Sequence, residues 1–122
     1  MKNQVVWVDI PAINLDRAIA FYSNVLGEKV EKINSHGSVA GILPHGDGGN
    51  GGVLYTSPDH LPSSNGPLVY LNAEGKLAKA VEAVKLNKGK VLQEIHSIGP
   101  HGFRAVVIDS EGNRIALHST TN

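Results

Sequence analysis

The amino-acid sequence predicts an α+β fold: two β-α-β-β-β units in tandem, forming a curved mixed sheet around a concave cavity. Three observations predict it. First, the chain repeats its apolar skeleton. Trp7 falls on Val69 (69 − 7 = 62), and at the same spacing Leu15 falls on Leu77, Ala18 on Ala80, Tyr22 on Val84, Gly27 on Gly89 and Leu54 on Ala116. A repeat of this length is one supersecondary unit used twice. Second, each copy holds one stretch of helical period among short β-branched runs. Third, Pro58, Pro62, two serines and Asn65 interrupt the pattern midway. They predict a linker over 58–65 between a first unit at 1–57 and a second at 66–122, within a single domain.

The elements follow in order. Gln4 to Ile10 is apolar and β-branched, closed by Pro11, and predicts a strand. Asn14 is a helix N-cap residue. Leu15, Ala18, Ile19 and Tyr22 then mark one face of a helix that ends at Gly27. Lys29 to Ile33, Ser38 to Leu43 and Gly52 to Thr56 predict three strands. Between the last two, Pro44 to Gly51 holds four glycines and no apolar side chain, and predicts a loop. In the second copy, Pro67 to Leu71 is a strand, and Leu77, Ala80, Val81 and Val84 mark a helix ended by Gly89. Val91 to Ile95, Phe103 to Ile108 and Arg114 to His118 complete it, with a turn at Asp109 to Asn113 in which Gly112 takes a positive φ.

Composition narrows the function. Eleven Lys and Arg balance eleven Asp and Glu, without a basic run. Nucleic acid and anionic membranes both need clustered cations, so neither is an expected partner. No cysteine is present, which removes disulfides, thiolate nucleophiles and sulfur metal sites. The start of the chain has no signal-peptide pattern, and no stretch approaches the roughly 18 apolar residues of a membrane span. The expected setting is cytoplasmic.

Two segments carry a resemblance. Leu15-Asp16-Arg17-Ala18-Ile19-Ala20-Phe21-Tyr22 with Val25-Leu26-Gly27 resembles the first-helix signature of the vicinal oxygen chelate superfamily. That superfamily includes glyoxalase I, extradiol dioxygenases, and fosfomycin- and bleomycin-resistance proteins. Asp109-Ser110-Glu111-Gly112-Asn113-Arg114-Ile115 resembles the turn that enters its last strand. Val5 to Pro11 and Ile98 to Gly102 are similar to stretches of the small members described as related to lactoylglutathione lyase. The resemblance covers nearly the whole chain and implies the tandem βαβββ fold.

It also implies where a metal would sit. Metal-dependent members place His, Glu or Gln ligands on the first, fourth, fifth and eighth strands. Counting back twenty residues from Gly27 and Gly89 puts two of them at Trp7 and Val69, the last-strand motif puts one at Ala116 and the 62-residue register puts one at Leu54, none of which is a carboxylate or an imidazole. Divalent metals need oxygen or imidazole donors, so no metal and no cofactor is expected. A one-residue slip would instead bring Val8, Tyr55, Tyr70 and Leu117 inward, also a poor donor set.

Alternation along the strands then names a cavity lining. Trp7, Leu54, Val69, Leu71 and Ala116 form apolar walls. Asp9, Thr56, Arg114 and His118 are the polar groups among them. A mostly apolar pocket with a few convergent polar groups suits a small organic ligand. Asp9 and His118 are the candidate general base and acid of a metal-independent lyase or isomerase, with Arg114 steadying an enediolate. Asp9 fits equally as a strand-end carboxylate bonded to backbone, and His118 as a structural imidazole. The rival expectation is a sequestering protein like the bleomycin-resistance members. A functional metal-dependent glyoxalase I is disfavoured. Of the other histidines, His36, His45, His60, His96 and His101 read as surface imidazoles, although His45 and His101 could meet at the cavity mouth. The glycine-rich stretch Gly46 to Gly52 reads as a lid or a plain hairpin loop. A homodimer is expected, covering the open sheet.

Overall fold

The computed structural model describes residues 2–35, 37–49 and 51–122; His36 and Asn50 lie outside them. The order of elements is β1 (Trp7–Pro11), α1 (Leu15–Leu26), β2 (Glu31–Ser35), β3 (Ser38–Ile42), β4 (Gly51–Tyr55), β5 (Val69–Asn72), α2 (Leu77–Leu86), β6 (Lys90–Ser97), β7 (Phe103–Ile108) and β8 (Arg114–Ser119). Each half is β-α-β-β-β. A 3-10 turn at Gly99–His101, which the sequence pattern did not signal, precedes β7.

Local chemistry explains the helices. Asn14 caps α1, its side chain accepting from the Arg17 amide, and Gly27 closes it at φ 72° in the left-handed region. The α2 helix ends differently. Lys88 takes the positive φ of 72°, although it carries a Cβ. Gly89 serves packing instead. A Cβ there would lie 2.7 Å from the Phe21 ring and 2.8 Å from the Ile108 carbonyl oxygen.

The strands form two four-stranded sheets, ordered β1-β4-β3-β2 and β5-β8-β7-β6. In each, the first and last strands of the unit pair in parallel and the remaining pairings are antiparallel. The two helices cover one face of the sheets and touch each other, so a single core runs through both halves. It holds Phe21, Tyr22 and Val25 from α1, Val81 and Val84 from α2, and Ile10, Leu54, Ile115 and Leu117 from the strands. Burying side chains of this size stabilises by roughly 1.5–3 kcal/mol each.

The turn entering β8 locks the halves together. Asp109 is buried, and its Oδ1 accepts from the amides of Glu111, Gly112 and Asn113. Its Oδ2 accepts from the Tyr22 hydroxyl at 2.5 Å. Asn113 Nδ2 donates to the Pro11 carbonyl oxygen at 2.8 Å. Glu111 accepts from the amides of Ile13 and Asn14 and from Nε and Nη2 of Arg17. No buried side-chain nitrogen or oxygen among the described residues is left without a partner.

Among the described residues, no helix is long and apolar enough to cross a membrane.

Candidate functional site

The end strands β1 and β5 bound a cavity of about 1050 Å³ without pairing to each other. Trp7 and Val8 line it from one side, and Val69, Tyr70, Leu71 and Asn72 from the other. His45 stands at its wall. A smaller pocket of about 290 Å³ lies further along the same seam, where Asp9 and His60 meet Asn113 and Arg114.

Register decides which side chains leave the helix layer. Cross-strand partners share a face and alternate residues swap faces. Ile10 pairs with Leu54, and Leu71 with Leu117. Ile10, Leu54 and Leu117 are all core residues, and Leu71 packs against that core. The opposite, open face therefore carries Trp7, Asp9, Val53 and Tyr55 on the first sheet. On the second it carries Tyr70, Asn72, Arg104, Val106, Arg114, Ala116 and His118.

Five expected residues, Trp7, Asp9, Arg114, Ala116 and His118, stand on this open face. Leu54 is a correction: it is fully buried against the helices and faces away from the open side. Val69 and Leu71 also alternate toward the helix layer, yet both line the seam cavity because β5 is an end strand. Thr56 lies just past the end of β4 and is exposed. The cause is a repeat that is not uniform. Matching ladder positions are 61 apart on β1 and β5 (Ile10, Leu71) and 63 apart on β4 and β8 (Leu54, Leu117). The helices keep a spacing of 62, and an odd slip turns a strand residue over.

With the register corrected (7 + 61 = 68, 116 − 63 = 53), the positions the resemblance assigns to metal ligands are Trp7, Val53, Leu68 and Ala116. An indole and three alkyl groups do not fit a hard or borderline divalent ion. Among the described residues, no group of three His, Asp or Glu could hold a metal ion. Of His45 and His101, only His45 lines the seam cavity, and its ring bonds the Gly46 carbonyl oxygen.

The polar groups separate into two clusters. On the first sheet, Trp7 Nε1 donates to Asp9 Oδ1 at 2.9 Å, which fixes both. Gly51 faces Trp7 across the ladder, and a Cβ there would sit 3.2 Å from the indole ring and 3.5 Å from the His45 ring. The absent side chain is what lets those rings close over β4. Tyr55 and His60 share a hydrogen bond nearby. On the second sheet, Arg104 Nε donates to His96 Nε2 at 3.0 Å and Arg104 Nη1 donates to the Tyr70 hydroxyl at 2.5 Å. His118 stands 6.2 Å from Tyr70, ring to ring, and bonds the His101 carbonyl oxygen at 2.6 Å. The structure therefore sets Asp9 beside Arg114 in one pocket, and His118 with Tyr70 and Arg104 in a different cluster.

Sequence reasoning reached Tyr70 only as the outcome of a one-residue slip, and missed Arg104 and the role of His96. His96 is half-buried in β6 and engaged by a guanidinium, not a surface imidazole. Arg104 alternates with Val106 and Ile108 along β7, a signal present in the sequence but outside the four strands where relatives keep ligands.

Comparison with known proteins agrees with this fold. The family model described as the Glyoxalase/Bleomycin resistance protein/Dioxygenase superfamily matches residues 4–117. The chain belongs to that superfamily. A "Glyoxylase-like domain-containing protein" of Didymella fabae is 30% identical over 129 residues, covering 96% of this chain and 94% of its own. Among solved structures, a glyoxalase/bleomycin resistance protein from Albidiferax ferrireducens T118 superposes with a TM-score of 0.79 at 16% identity, over 96% of this chain and 98% of that one. A glyoxalase-related enzyme from Fulvimarina pelagi does so with a TM-score of 0.73 at 13% identity, over 97% and 88%. At such identities the solved structures share the fold. Family membership alone names no reaction.

Proposed function

We propose that this superfamily member binds a small organic molecule in the seam between β1 and β5, without a resident metal. One observation carries the reading. The positions where the resemblance places a metal are Trp7, Val53, Leu68 and Ala116, and two of them, Trp7 and Leu68, border a cavity of about 1050 Å³. Walls of Trp7, Val8, Leu68, Val69, Tyr70 and Leu71, with Glu28, His45, Asn72, Glu74 and Lys76 among them, favour an organic ligand over an ion. Sequestration, as in a bleomycin-resistance protein, is the simplest activity such a wall supports.

A second reading, catalysis, is favoured by Asp9 and Arg114. Both line the smaller pocket, so a carboxylate base and a guanidinium face one space, as proton abstraction beside a carbonyl requires. His118 lies in the other cluster and is not part of that arrangement.

Trp7 is the only tryptophan and lines the cavity, so its fluorescence reports occupancy directly. A screen of small organic compounds should yield ligands that shift Trp7 emission and raise Tm by mass action. Dialysis against a chelator should change neither property. Stoichiometric Zn or Ni in purified protein, with a Tm that falls on chelation, would overturn the metal-free reading. Turnover of a ligand that Asp9→Asn abolishes, with binding retained, would select catalysis over sequestration.

A further inference from the structure

The open face of the second sheet carries an arginine, Arg104, that no carboxylate among the described residues pairs with. Strands β5, β7 and β8 contribute two arginines and a histidine and not one carboxylate. The single acid on β6, Glu94, turns toward α2 and pairs with Lys85 at 3.8 Å. Glu74, the acid nearest His118, is engaged by the backbone amide and hydroxyl of Thr120. Among the described residues no carboxylate meets Arg104.

Arg104 is nevertheless held in place. Its Nε–H points at His96 Nε2, and His96 Nδ1 lies 2.8 Å from the Glu94 carbonyl oxygen. A nitrogen that accepts from a guanidinium carries no proton, so His96 is the Nδ1–H tautomer and acts as a neutral brace. One Nη1–H is spent on the Tyr70 oxygen, and the guanidinium carbon lies 5.9 Å from the Tyr70 ring centre. The second Nη1 hydrogen and both Nη2 hydrogens have no partner among the described residues. Because Tyr70 accepts from Arg104, its own O–H proton is free to donate. The result is a planar, pre-oriented fork beside a phenol donor, the geometry that grips a carboxylate or phosphate with two parallel bonds. Tyr70 also lines the seam cavity, so fork and cavity are contiguous.

We propose that Arg104 and Tyr70 form an oxyanion site, and that the ligand is an amphipathic acid. Its carboxylate- or phosphate-type head binds Arg104 and Tyr70 while its apolar body lies in the seam against Trp7. This rests on the seam being the ligand cavity, and it adds the charge of the ligand and the residues that select it.

Benzoate and benzyl alcohol, equal in size and differing in charge, make the test, with inorganic phosphate as a head without a body. Calorimetry should show benzoate binding about tenfold more tightly than benzyl alcohol. Phosphate should compete with benzoate but not with benzyl alcohol. Arg104→Gln should erase the benzoate preference and leave benzyl alcohol unaffected. Tyr70→Phe should reduce it severalfold. Lys85→Gln, which removes an equal charge on the helix side, should preserve it. Benzyl alcohol binding as tightly as benzoate, or a preference that survives Arg104→Gln, overturns the oxyanion site and leaves the cavity reading standing. Competition by phosphate alone, with no effect of the apolar ring, would assign the site to inorganic phosphate and overturn the amphipathic ligand. Binding of none of the three to folded protein overturns both proposals.

Discussion

At the scale of residues, Glu111 shows how a motif becomes a clasp. Burial alone would raise its pKa. The Arg17 guanidinium, the amides of Asn14 and Ile13 and the Ser110 hydroxyl outweigh that and hold it at about 2. A depressed carboxylate contributes stability above its unfolded pKa and loses it as pH falls toward the folded value. The contribution is therefore complete above about pH 5 and fades between there and pH 2. Arg17 is partly exposed, its side chain at 37%, so solvent screening trims the gain to roughly 2 kcal/mol. Glu111→Gln should lower Tm at pH 7 by on the order of 10 °C. The gap between variant and parent should narrow below pH 5 and close only as pH approaches 2. A gap that stays constant with pH would show that shape, not charge, is what Glu111 contributes. Tyr22 belongs to the same network. Burial and then the neighbouring Asp109 push its hydroxyl well above the ordinary range, in keeping with its donating to Asp109.

At the scale of elements, the helices and the order of strands were legible because both depend on periodicity. An apolar stripe at i, i+3, i+4 and i+7 survives a one-residue error, whereas a strand does not. That is why α1 and the Asp109 turn were readable to the residue while Leu54 was assigned to the wrong face. Ala116, counted from the Asp109 turn, and Trp7, counted from Gly27, fell on the open face. Leu54, carried over from the repeat, and Val69, counted from Gly89 one residue past the left-handed Lys88, fell on the other. Arg104 escaped for another reason: nothing local distinguishes a ligand-binding arginine from a solvated one until Tyr70 and His96 are brought beside it. The two helix-ending glycines make the same point. Gly27 is chosen for its φ and Gly89 for its missing Cβ, although the repeat superposes them. Gly89→Ala would drive a methyl group to within 2.7 Å of Phe21 and 2.8 Å of a backbone oxygen. Overpacking of this kind costs roughly 1–3 kcal/mol. Urea unfolding should show a lower midpoint with an unchanged slope. An unchanged midpoint would mean α1 and β7 can part without cost.

At the scale of the whole molecule, the layering is one-sided. Both helices lie on the same face of the sheets, and a single core serves both halves. The other face keeps large apolar side chains in water: Trp7 at 49%, Tyr70 at 45% and Ile33 at 37%. A sheet with one bare face and two unpaired end strands at its centre is normally covered. We propose that a second copy covers it. Both sheets of one chain would then face both sheets of the other, an isologous contact that needs no new surface. Such an interface would bury on the order of 1,600 Å² in total and close the seam from above, leaving Trp7 and Tyr70 lining an enclosed site rather than an open groove. Sedimentation should then give about twice the 12.9 kDa of one chain. Ile33→Glu places a charge in the contact, far from the helix core, and should yield a folded monomer with weakened ligand binding. A parent protein that sediments as a monomer at tens of micromolar would end the idea. A monomeric Ile33→Glu variant with undiminished affinity would separate assembly from binding and locate the whole site within one chain.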